Sequence, residues 1–160
     1  MGLKLNLGAL GIALVLGLCT IDLTFDLHSE TEQELDEFYS YYTHHQRQAD
    51  GMTLPGAALV PLAVVMTWVL LFKSLYDEGA SFTSVASVAL NLACLAIFAG
   101  VIIPAREGLL ALAPTDYPAI RETAQLLAFC HSAIVSLEVV ALVLQIEAPS
   151  PVLADKPKSA

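Results

Sequence analysis

The sequence predicts an all-α fold, a four-helix transmembrane bundle with a short acidic extramembrane helix between spans 1 and 2. Three observations predict it. Hydrophobic residues make up 56% of the 160, and mean hydropathy is +0.67, too apolar for a soluble domain of this size. Four apolar runs each reach the length of about 20 residues that a helix needs to cross a hydrocarbon core of about 30 Å. None of them alternates with period two, so each satisfies its backbone as a helix and not as a barrel strand.

The runs are approximately residues 5–25, 55–76, 82–103 and 123–146, within one membrane domain covering 1–147. Lys4 precedes the first run, which imitates a signal peptide; its length and the lack of a small-residue cleavage site make a retained anchor the expectation. Between spans 1 and 2, Ser29 is followed three residues on by Glu32, a capping-box spacing, and Glu30, Glu32 and Glu34 suit a helix N-terminus. An acidic helix over about 31–46 is expected there, with Phe38, Tyr39, Tyr41 and Tyr42 at the membrane interface. Gly79 suits a tight hairpin between spans 2 and 3. Pro104, Pro114 and Pro118 predict a non-helical connection over 104–122, and the proline-containing segment 148–160 reads as a flexible tail.

Four spans place both termini on one face. That face carries Lys4, Lys73, Lys156 and Lys158 against Arg47, Arg106 and Arg121 on the other, which favours cytoplasmic termini. The 16 acids against 7 bases, with the acids dense between Asp26 and Asp50, argue against nucleic acid, which needs clustered cations. Cys19, Cys94 and Cys130 all lie in apolar runs and read as small hydrophobes.

Ionisable groups inside spans are the candidates for function, because lipid penalises them unless they are paired inside the bundle. His131, Glu138 and Gln145 follow one another at seven-residue intervals and share a helix face; Ser84, Ser87, Asn91 and Cys94 do the same on span 3. Asn91 and Glu138 lie at a similar depth, roughly 13 Å from the termini side, so they either form a polar site or serve as interhelical glue. Asp22 and Asp26 are one turn apart, and His131 enters from the same side at roughly 12 Å depth. These three form either a functional cluster or a solvated edge. His28, His44 and His45 add imidazoles on that face, but their spacing matches no metal motif, and no metal or other cofactor is expected. One buried histidine does not make a bis-histidine haem site, and there is no Cys-x-x-Cys pair. Ala9, Ala13 and Gly17 form a small-residue ridge, suited to the bundle's own packing or to a partner subunit.

The layout of a glycine-containing first span ending near an acid, a loop with Tyr41 and Tyr42, and a third span closing in Ile103-Pro104 followed by Arg106 and Leu109 resembles the anthrone-oxygenase-like family of four-span membrane proteins. The likeness covers most of the chain in topology through short motifs. It departs at Glu107, where an Asn is expected, and in having Trp68 as its single tryptophan. The resemblance implies cofactor-free chemistry on a lipophilic substrate, with His131, Arg106 and Asp22 as the residues nearest it.

Two functions are therefore expected. The first is a non-catalytic accessory or scaffold subunit in the lipid bilayer, contacting other membrane subunits or a second copy of itself. The second is a small membrane enzyme or binding protein for a lipophilic substrate, with Asp22, His131, Glu138, Asn91 and Arg106 as candidate substrate contacts.

Overall fold

In the computed structural model, which describes residues 7–51, 55–78 and 81–147, every regular element is a helix. The order is α1 (Leu7–Leu27), α2 (Glu32–Gly51), α3 (Pro55–Glu78), α4 (Phe82–Ile97), a π-helical turn (Phe98–Ile102), α5 (Ile103–Ala111) and α6 (Tyr117–Glu147). Three stretches are long and apolar enough to cross a membrane: Gly8–Leu27, Phe82–Ala111 and Tyr117–Ile146. They mark a membrane-embedded protein. In α3 the apolar stretch among the described residues is Val64–Lys73.

α1 ends through its own side chains. Thr20 and Thr24 donate to the carbonyls of Leu16 and Thr20 at 2.7 and 2.9 Å, which satisfies hydroxyls that lipid would leave without partners. Ser29 then donates to the Asp26 carbonyl at 3.0 Å and the chain turns. Ser29 is thus a terminator and does not open α2. The capping box lies two residues later: Thr31 Oγ1 accepts from the Glu34 amide at 3.2 Å, and Glu34 Oε2 accepts from the amides of Thr31 and Glu30 at 2.8 and 3.0 Å. These bonds hold the Glu34 carboxyl below its usual range.

α2 also runs further than expected, to Gly51, and does more than rest on an interface. Leu35, Phe38 and Tyr42, spaced to share a face, are 0–2% exposed and pack against Leu109, Ile120 and Leu127 of α5 and α6. The Tyr39 hydroxyl donates to the Leu112 carbonyl at 3.1 Å, and Arg121 donates to the Glu30 carbonyl at 2.9 Å. The acidic helix is therefore a cap fastened across one end of the molecule.

The expected loop over 104–122 shrinks to Leu112–Asp116. Pro104 sits in the first turn of α5, directly after the π-helical turn, where the Ile103 amide reaches back to the Phe98 carbonyl. Proline is excluded from a helix by its missing N–H and by its clash with the carbonyl four residues earlier. A widened turn just before it relieves that clash, so the helix continues. Asp116 opens α6, its carbonyl accepting from the Ile120 amide at 3.0 Å, and Pro118 falls in the first turn, where it is tolerated.

α1 packs between α3 and α6, and α6 packs between α1 and α4; α3 and α4 meet more sparsely than any of these pairs. Gly11 lets α1 and α3 meet: a Cβ there would stand 2.9 Å from Thr67 Cα, and Thr67 donates to the Gly11 carbonyl at 3.0 Å. The anticipated ridge faces elsewhere. Ala13 and Gly17 are exposed, and a Cβ on Gly17 would meet nothing within 4 Å. The Gly79 hairpin, the 148–160 tail, Lys4, Lys156 and Lys158 lie outside the described residues, as do the side chains of His44, His45 and Arg47.

Candidate functional site

Where α2 covers the end of α1, two acids of α1 meet two tyrosines of α2. Tyr41 donates to Asp22 Oδ1 at 2.7 Å, and Tyr42 donates to Asp26 Oδ1 at 2.6 Å. The spacing suits the pairing: one helical turn separates the acids, and adjacent residues on α2 straddle them. Burial, and then the acid beside each hydroxyl, pushes both phenols above their ordinary range, so they stay neutral donors. Arg106 of α5 lies with its guanidinium carbon 5.0 Å from the centre of the Tyr42 ring, a cation–π contact that partly opposes that shift. Phe25 stacks on Tyr41 with centroids 3.9 Å apart.

His131 reaches the cluster from α6. Its Nδ1 lies 2.5 Å from Asp26 Oδ2, and Nε2 lies 3.8 Å from Asp22 Oδ2. Asp26 and His131 are each 1% exposed. A carboxylate accepts at both oxygens, so Asp26 takes one hydrogen from Tyr42 and the other from His131 Nδ1, which directs the ring's second nitrogen to Asp22 and the space beyond. An acid that orients a histidine by one ring nitrogen and frees the other is the arrangement used for general acid–base work.

The space beyond is a cavity with about 60 Å³ of room for the centres of water molecules, bounded by α1, α3, α4 and α6 and not closed on every side. Its polar lining is Asp22, His131, Asn91 and Glu138; Trp68 and Phe98 supply much of the apolar wall. Phe98 opens the π-helical turn, a feature that recurs at functional sites. His131, Glu138 and Gln145 are 1–2% exposed, and so Ser84, Ser87, Asn91 and Cys94 are the buried face of α4.

Asn91 and Glu138 share the cavity without bonding each other: Asn91 donates to the Ser87 carbonyl at 3.0 Å within its own helix. Glu138 Oε2 is buried and has no hydrogen-bond partner. Of the candidate contacts, Asp22, His131, Asn91 and Glu138 line one cavity, and Arg106 stands behind Tyr42. Sequence reasoning placed Tyr41, Tyr42 and Asp26 near this region but not as its supporting shell. The signal was the pairing of adjacent tyrosines with acids one turn apart. Among the described residues no group of three or more His, Cys, Asp or Glu side chains is arranged to hold a metal ion.

No protein-family model, curated protein or solved structure matches this chain.

Proposed function

We propose that the chain spans the bilayer four times, through α1, α3, the continuous helix of α4 and α5, and α6, and that it binds a lipophilic molecule for acid–base chemistry at His131. α3 supports the fourth span: its 24 residues rise about 36 Å, and the Gly11–Thr67 contact fixes it against α1. Four lysines near the hairpin and the chain ends, against three arginines on the other face, favour cytoplasmic termini.

The observation that carries the function is the buried Asp26–His131 pair, whose free nitrogen faces a partly open, largely apolar cavity. Leu95 lines that cavity and is itself 37% exposed in the middle of a span-length helix, so the mouth faces lipid between α3 and α4, which meet more sparsely than α1 meets α3 or α6. A molecule dissolved in the bilayer would enter there and present its acidic proton to His131 Nε2. The resemblance to anthrone-oxygenase-like proteins accords with a lipophilic substrate.

Trp68 in the cavity wall provides the test. Purified protein is titrated with fractions of a lipophilic extract of its own membranes while Trp68 fluorescence is followed. One fraction is expected to change the emission of the wild type and not of His131→Ala. If every fraction leaves Trp68 unchanged, the binding reading is lost.

A second reading, as a subunit of a larger complex, is favoured by one feature. The small residues Ala13 and Gly17 are exposed, and a Cβ on Gly17 would meet nothing within 4 Å among the described residues. It predicts that Gly17→Leu releases a partner chain while leaving the fold intact.

A further inference from the structure

Glu138 has no role in the chemistry assigned to His131, yet it is 1% exposed and its Oε2 is, among the described residues, the buried side-chain oxygen or nitrogen left without a hydrogen bond. A polar oxygen left so inside a protein costs on the order of 1–3 kcal/mol, unless a proton or a water satisfies it. It follows His131 by seven residues on α6, about 10 Å along the helix axis. Between them lies the cavity, whose 60 Å³ for water centres exceeds the about 10–15 Å³ that one water needs.

The two ends of this region differ. Towards α2, Asp22 lines the cavity with a side chain that is 27% exposed, and it stands about 8 Å along the axis from the α2 end of α1. Towards the chain termini, Ile12, Leu71 and Ala141 from three different helices are 0–1% exposed, and the buried Ser87 hydroxyl donates to the Ala141 carbonyl at 3.3 Å. The titratable groups in the cavity wall besides Glu138 are Cys19 and Asp22 from α1, Cys94 from α4 and His131 from α6; α3 contributes Val64, Thr67 and Trp68 and no titratable group.

We propose that Glu138 is a proton-binding site loaded from the α2 face, by way of Asp22, His131 Nε2 and water in the cavity. Each transfer breaks one O–H or N–H bond and forms another, and the net change is one proton added to the Glu138 carboxylate. No oxidant or reductant takes part. The inference rests on the acid–base reading in one respect: it gives the proton that His131 takes from a bound molecule a place to go. Chains of buried Asp, Glu and His in membrane proteins serve as such relays.

Infrared spectroscopy of the full chain in liposomes, without added ligand, tests it. The carbonyl stretch of protonated Glu138 is the band present in wild type and lost in Glu138→Gln. It is expected to shift promptly when the liposomes meet D2O. Asp22→Asn, which removes the entry carboxylate, and separately Cys19→Leu, which narrows the cavity, are expected to slow that shift by about tenfold or more. Absence of the band at every pH, a wild-type band that does not exchange, or two variants that exchange as fast as wild type would each overturn the proposal. Because no ligand is present, any of these results leaves the Trp68 titration to decide the binding reading by itself.

Discussion

Asp26 does the most at the scale of single residues. It accepts from Tyr42 at 2.6 Å and pairs with His131 at 2.5 Å while 1% exposed. Replacing it with leucine strands a phenol and an imidazole in the interior, and the expected loss is about 3–5 kcal/mol, read from thermal unfolding in detergent. Asp22→Asn loses less, about 1 kcal/mol by the same assay, because its bond to Tyr41 lies at a partly open site. The tyrosines add a pH dependence with a definite sign. Both are raised in the folded state, so the neutral phenol is the stabilised form. Their contribution is fully present below the ordinary tyrosine value of about 10 and disappears as pH climbs through the folded values above it. Phenolate absorbance assigned to Tyr41 and Tyr42 by Phe substitution is expected to appear only above that ordinary value, together with loosening of α2. The sequence already placed His131, Asp22 and Asp26 within reach of one another, since helical rise fixes depth along each span. It left open which tyrosine meets which acid, because that depends on how α2 crosses the end of the molecule.

At the scale of elements, local chemistry and tertiary contact divide what could be read. The periodic faces of α4 and α6 were legible because a 3.6-residue helix puts every third or fourth side chain on one side, and lipid leaves polar groups nowhere else to face. Pro104 misled because proline is read as a stop, whereas a π-helical turn just before it lets the helix run on to Ala111. Two capping patterns overlap between Ser29 and Glu34; the second forms because Ser29 is already used in ending α1. Thr31→Ala is accordingly expected to cost about 1 kcal/mol and to fray the start of α2 in hydrogen exchange, an effect Ser29→Ala does not share. The small-residue ridge left two uses open, the chain's own packing or a partner: Ala9, Ala13 and Gly17 are interchangeable in composition with Gly8 and Gly11, and only the packed structure says which side of α1 is inward. Gly11→Ala forces a Cβ to 2.9 Å from the backbone of Thr67 and should destabilise by about 1–3 kcal/mol, while Gly17→Ala meets open space and should be neutral.

For the whole molecule, a polar site is built at one end of an apolar helical assembly, capped by α2 and facing a cavity between α1, α3, α4 and α6. The all-helical, membrane-embedded character followed from hydropathy and run length, because lipid restricts a spanning backbone to helix or barrel. The cavity was not legible: it depends on α3 and α4 meeting sparsely, and no spacing along the chain encodes that. A lipophilic molecule held in this cavity under His131 would be seen by native mass spectrometry of the chain released from its own membranes in mild detergent. The expected result is a single chain carrying one lipophilic compound at fixed stoichiometry, lost in His131→Ala and in a Leu95→Trp variant that closes the mouth. A chain recovered only within a larger complex, with no such compound bound, would contradict it.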